Sequence, residues 1–126
     1  MVFSLTVVLI VSLVSGGQQD YSWTNKECHG QHDSRDAYQE NRVMGLRQSI
    51  GEIPDAIGYN YYHEEGLGSK GPCYIHATCS RDIQREDCSS CLENAVDKLN
   101  CECQQNIGAC LENVNCRIRF ENFKFY

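Results

Sequence analysis

The stretch CSRDIQREDCSSCLENAVDKL, residues 79–99, decides the fold. Within it Cys88, Cys91, Leu92, Ala95, Val96 and Leu99 recur at i, i+3, i+4, i+7, i+8 and i+11, the stripe of one helical face. Ser80 is the expected opening of that helix, with acidic residues early in it. Immediately upstream, Cys73 to Cys79 reads as a strand, and Gly66 to Gly71 reads as a flexible turn joining it to an aromatic strand, Ile57 to Tyr62. Further upstream, Val43, Leu46, Ile50 and Ile53 recur every three or four residues with Met44 beside them. That pattern predicts an amphipathic helix over Asp36–Ile53, stopped by the steric demand of Pro54. Asp20 to Cys28, with Tyr21 and Trp23 alternating, predicts a first strand. Ala109–Val114 and Cys116–Phe125 predict two more, joined tightly at Asn115. Two helices and about five strands make a small α+β domain, with both helices on one face of an antiparallel sheet.

The chain has 126 residues, room for one domain. With 17 acidic and 11 basic side chains it carries −6, which argues against a nucleic-acid partner and against attack on anionic membranes by charge alone. Residues 1–17 contain no charged side chain. Val2 to Val14 is nearly all apolar, shorter than the roughly 20 residues of a membrane span, and Ser15-Gly16-Gly17 ends it in small residues. This predicts a signal peptide, residues 1–17, and one cysteine-rich domain, residues 18–126. Secretion places the nine cysteines in an oxidising compartment, where they pair with each other. Six cysteines alone allow fifteen connectivities, and nine is odd, so at least one thiol is left over or bridges to another molecule.

Cys79-x8-Cys88-x2-Cys91, with Cys103 and Cys116 following, resembles the ginkbilobin-like domain, the plant salt-stress/antifungal cysteine-rich domain. The flanks agree: Ala77-Thr78-Cys79, Asp87-Cys88-Ser89-Ser90-Cys91-Leu92, Asn106-Ile107-Gly108-Ala109 and Cys116-Arg117-Ile118-Arg119-Phe120-Glu121. The single-domain length is similar to that of the free-standing antifungal members rather than to receptor ectodomains. The resemblance implies three bridges, Cys28–Cys103, Cys79–Cys88 and Cys91–Cys116. That leaves Cys73, Cys101 and Cys110, among which one further bridge is expected, the last thiol being buried or forming a dimer.

The resemblance also implies a mannose site made of an Asn, an Arg and a Glu. Carried over residue by residue, the Glu is Glu121, the Asn position holds His29 and the Arg position holds Cys110. A carboxylate accepts from sugar hydroxyls and an imidazole can still donate or accept, but a thiol cannot replace a forked guanidinium. Arg117, Arg119 and Glu121 share one strand face, so Arg119 is a candidate accessory cation; the plain alternative is a solvated face with a surface ion pair.

Other patterns carry less. Cys88-Ser89-Ser90-Cys91 as a redox pair, or with Cys101 and Cys103 as a zinc site, needs reduced thiols. Gly66-x-Gly68-x-x-Gly71 formally matches a dinucleotide fingerprint, but Pro72 and a strand follow where a helix must begin. His29, His32, His63 and His76 show no metal-ligand spacing, and Tyr59, Tyr61 and Tyr62 fit sheet packing better than sugar stacking. The expectation is a secreted, lectin-like antifungal protein without enzymatic activity, cofactor or metal, binding mannose-type cell-wall glycan. The alternative is an extracellular module that kept the scaffold and recognises a protein partner.

Overall fold

The computed structural model describes residues 22–31, 36–104 and 106–126. The expected signal peptide, and Asp20 and Tyr21 of the first predicted strand, lie outside the described residues. In chain order the elements are β1 (Asn25–His29), α1 (Asp36–Glu52), two 3-10 turns (Ile53–Asp55 and Ile57–Tyr59), β2 (Asn60–Glu65), β3 (Cys73–Cys79), α2 (Arg85–Glu102), β4 (Gly108–Glu112) and β5 (Cys116–Glu121). The strands form one antiparallel sheet in the order β1-β4-β5-β3-β2. Both helices pack on one face of it, as the sequence predicts.

Period-two alternation builds the core. Cys73, Ile75, Ala77 and Cys79 of β3 point at the helices, as do Cys116, Ile118 and Phe120 of β5, while the residues between them face away. From above, α2 contributes Cys88, Cys91, Leu92, Ala95 and Leu99, all buried. The hairpin β4–β5 is closed by Asn113, whose side-chain oxygen accepts from the backbone N–H groups of Asn115 and Cys116 at 2.8 and 2.9 Å.

Three boundaries and one packed face differ from expectation. Helix α2 opens at Arg85 and not at Ser80, because Ser80 turns the chain first; its hydroxyl accepts from the Asp82 N–H at 3.4 Å. The aromatic strand begins at Asn60, since Pro54 starts a 3-10 turn and Gly58 takes a positive φ in the next one. The last strand stops at Glu121, and residues 122–126 leave the ladder. On α1 the predicted face holds in part: Leu46 and Ile53 are buried and Ile50 packs against the core, but Val43 and Met44 are 45% and 54% exposed, and the helix also buries Tyr38, Arg42, Gly45 and Ser49. Gly45 sets this packing, because a Cβ there would collide with Ile75 and press on Glu65.

Three disulfides staple the layers: Cys28–Cys103, Cys79–Cys88 and Cys91–Cys116, with Cα separations of 5.4, 5.7 and 6.1 Å. The expected fourth bridge is absent. Cys73 and Cys110 are buried on different strands, Cys101 is exposed on α2, and all three are free thiols.

Candidate functional site

The sheet face turned away from the helices carries the candidate residues. The pairing aligns one row across all five strands: Glu27 opposite Cys110, Cys110 opposite Arg119, Arg119 opposite His76 and His76 opposite Tyr62. One step along, His29 pairs with Gly108, and Glu121 pairs with Tyr74.

Glu121 is the centre. Its carboxylate is 1% exposed, and one oxygen, Oε2, accepts from Arg119 Nε at 2.9 Å and lies 2.8 Å from His29 Nδ1. The other imidazole nitrogen of His29 lies 3.0 Å from Glu27 Oε1. A doubly protonated ring donates to both carboxylates, and a neutral ring donates to one of them. The bonded imidazole holds the Glu27 carboxyl below its ordinary range. Buried carboxylates persist where paired and hydrogen-bonded, and this one has two partners. Room for it comes from Gly108, since a Cβ at that position would occupy the space of the Glu121 carboxylate.

Arg119 is fixed a second time. Its guanidinium carbon lies 4.2 Å from the centre of the Phe125 ring, a cation–π contact supplied by the segment after β5. The structure therefore brings His29, Arg119 and Glu121 together. Cys110 lies beside them, between Glu27 and Arg119 in the sheet register, but its side chain is only 3% exposed and offers a ligand no donor fork. The nearest cation to Cys110 in the register is Arg119, one strand over.

Thiol chemistry is not favoured at the buried cysteines. Burial pushes the Cys73 thiol up to about 12 and raises that of Cys110, so neither is a thiolate near neutrality. Among the described residues no three His, Cys, Asp or Glu side chains converge as metal ligands. No described helix is long and apolar enough to cross a membrane.

Two features escape sequence reasoning. Glu27 joins the cluster through His29, and the only signal for it is the i, i+2 spacing in a short strand. An aromatic group, Tyr62, Tyr74, His76, Phe125 and Tyr126, gathers beside the polar cluster on the same face. Tyr62 was grouped with Tyr59 and Tyr61 on the sequence, but Tyr61 packs against the core on the other face and Tyr62 is exposed.

The model of the salt stress response/antifungal family matches residues 24–123. Antifungal protein ginkbilobin-2 of Ginkgo biloba is 36% identical over 69 residues, 54% of this chain and 52% of that protein, so the match spans about half of that relative. Antifungal protein ginkbilobin-like protein 1 of Picea sitchensis is 24% identical over 124 residues, 96% of this chain and 93% of its own. Among solved structures, the tandem DUF26 ectodomain of the Arabidopsis thaliana cysteine-rich receptor-like protein PDLP8 superposes with a TM-score of 0.75. It is 22% identical, over 84% of this chain and 51% of that one, and shows the same fold.

Proposed function

The chain belongs to the salt stress response/antifungal family, and from that premise we propose that it is a secreted defence protein that binds neutral cell-wall glycan of the mannose type. Two relatives are described as antifungal proteins, which supports the defence reading. Three disulfides and the apolar leader-like residues 1–17 support secretion.

One observation carries the sugar reading: His29 and Arg119 converge on the Glu121 carboxylate. A sugar hydroxyl can both donate and accept. The partly exposed imidazole and guanidinium present donors to it, and the Glu121 carboxylate buried behind them holds both in position. The cluster works without an Arg at position 110 because Arg119 occupies the neighbouring strand. Its pre-set geometry keeps the ordering entropy of binding low.

The test is mannan binding by the disulfide-intact protein and by Glu121→Gln. Losing the charge that holds His29 and Arg119 in place is expected to weaken binding by about 1–3 kcal/mol. Unchanged affinity in a variant with an unchanged thermal midpoint moves the site elsewhere. A second reading, a protein-partner module, is favoured by Cys110 standing where the sugar-binding pattern has an Arg. It predicts silence on mannan for both proteins.

A further inference from the structure

Beside the polar cluster, the same sheet face carries a set of rings whose arrangement the cluster alone does not explain. Tyr62 stacks on His76 with ring centres 4.2 Å apart and planes within 8°. Tyr126 leans on Tyr62 at 4.6 Å and its hydroxyl donates to the backbone carbonyl of His63 at 3.3 Å, which pins the end of the chain over β2. Tyr62 and Tyr126 nevertheless stay 47% and 41% exposed. Rings held in place by neighbours yet open to water are unusual on a solvated face, because ordering large apolar surface without burying it gains little. Polar groups border them: Asn60 Oδ1 lies 2.6 Å from His76 Nε2, and Arg119 is the next residue of the row after His76.

The arginines of this face are already paired. Arg119 pairs with Glu121, Arg117 lies 3.9 Å from Glu112, and His29 lies against Glu27. A face whose arginines are already paired does not select for an anionic chain, and its exposed rings suit a ligand with alternating apolar and hydroxyl edges. Neutral sugar rings have that character: their C–H faces pack on aromatic faces while their hydroxyls bond to polar groups at the rim.

Resting on the glycan reading above, we infer that the ligand is an oligosaccharide spanning two subsites: one sugar at Glu121, Arg119 and His29, and a following sugar stacked on Tyr62 and Tyr126. The row from Arg119 on β5 to Tyr62 on β2 crosses two strand spacings, about 10 Å, wider than a single sugar ring. The polar subsite orients the chain, and the aromatic subsite adds affinity only when a second sugar is present.

Calorimetric titration of the disulfide-intact protein with mannose and with mannotriose tests this. The trisaccharide is expected to bind about ten-fold more tightly than the monosaccharide. Tyr62→Ala is expected to erase that gain while leaving mannose affinity unchanged, and Tyr62→Phe, which keeps the ring, is expected to preserve it. Equal affinity for the two sugars in the parent protein overturns the second subsite while leaving the Glu121 site standing. So does a Tyr62→Ala variant that weakens both sugars by the same factor, as a purely structural role on β2 would. If neither sugar binds, the glycan reading and this inference fall together.

Discussion

Helix α2 presents Cys88, Cys91, Leu92, Ala95 and Leu99 to the sheet, whereas α1 presents Tyr38, Arg42, Gly45, Leu46 and Ser49. The first set is apolar, and two of its members are bonded covalently to β3 and β5. The second set has no cysteine, one glycine that admits Ile75, and two polar side chains in the interior. Ser49 satisfies itself by donating to the Gly45 carbonyl at 2.8 Å. Arg42 stacks on Phe120 at 5.5 Å, but its Nε has no hydrogen-bond partner. Apolar burial and covalent closure hold α2; close backbone approach and a few directed contacts hold α1. A small domain can combine both because staples relieve one half of the core from having to be large.

The largest effect that can break this contrast is reduction of the disulfides. Each staple contributes about 2–4 kcal/mol, a large share of the stability of a domain this small. Circular dichroism with reductant is expected to show loss of the cooperative transition. A reduced protein melting within a few degrees of the oxidised one would mean that α2 does not depend on its bridges.

Core truncation sharpens the contrast next. Leu92→Ala and Leu46→Ala each remove a buried side chain and are expected to destabilise by about 2–5 kcal/mol. The α2 variant is expected at the upper end, because bridges on the same helix prevent collapse into the cavity. Urea midpoints for the two variants, compared at equal slope, decide the order.

Arg42→Met is expected to have little effect or to stabilise by about 1 kcal/mol, since it removes a buried cation that lacks a hydrogen bond at Nε and keeps contact with Phe120. A loss above about 2 kcal/mol in the same urea assay would show that α1 depends on its cation as α2 depends on its bridges.

The smallest effect is at the end of α2. Glu102 pairs with Lys26 of β1 and, at 2.7 Å, with Lys98, and these ammonium groups hold its carboxyl down from 4.5 to about 2. A folded-state value below the unfolded one stabilises above pH 4.5, and that contribution is lost as pH falls towards 2. The thermal midpoints of the parent and of Glu102→Gln are therefore expected to differ at pH 7 and to converge near pH 2.

The same contrast explains what the sequence makes legible. The face of α2 is readable because every buried position is apolar and the helical period appears without interruption. The face of α1 is legible only in part: Leu46, Ile50 and Ile53 do turn inward, but Arg42 and Ser49 are buried and Val43 and Met44 exposed, so the apolar residues trace only one edge of the buried stripe. Alternation in β3 and β5 is equally plain, because one face of each is packed and the other is not. Period two shows only that Arg119 and Glu121 share a strand face; Glu121 and His29 are singled out by what the family resemblance implies. Their convergence depends on β1 and β5 flanking β4 and on Gly108 leaving space for a carboxylate. Strand order is set by long-range packing and leaves no local pattern. Glu27 and the ring group of Tyr62 and Tyr126 were unreadable for the same reason.

Two of the three bridges also interleave along the chain. Cys91 lies inside the span closed by Cys28 and Cys103, while its partner Cys116 lies outside it. Any single cut between residues 28 and 103 leaves two pieces joined through Cys28–Cys103, and any cut between 103 and 116 leaves them joined through Cys91–Cys116. A hydrolase that nicks one exposed loop therefore separates no fragment from the rest. The His29 and Glu121 halves of the polar cluster remain tethered at high effective concentration after the cut. Such connectivity turns one peptide-bond scission from a loss of the molecule into a change in its backbone.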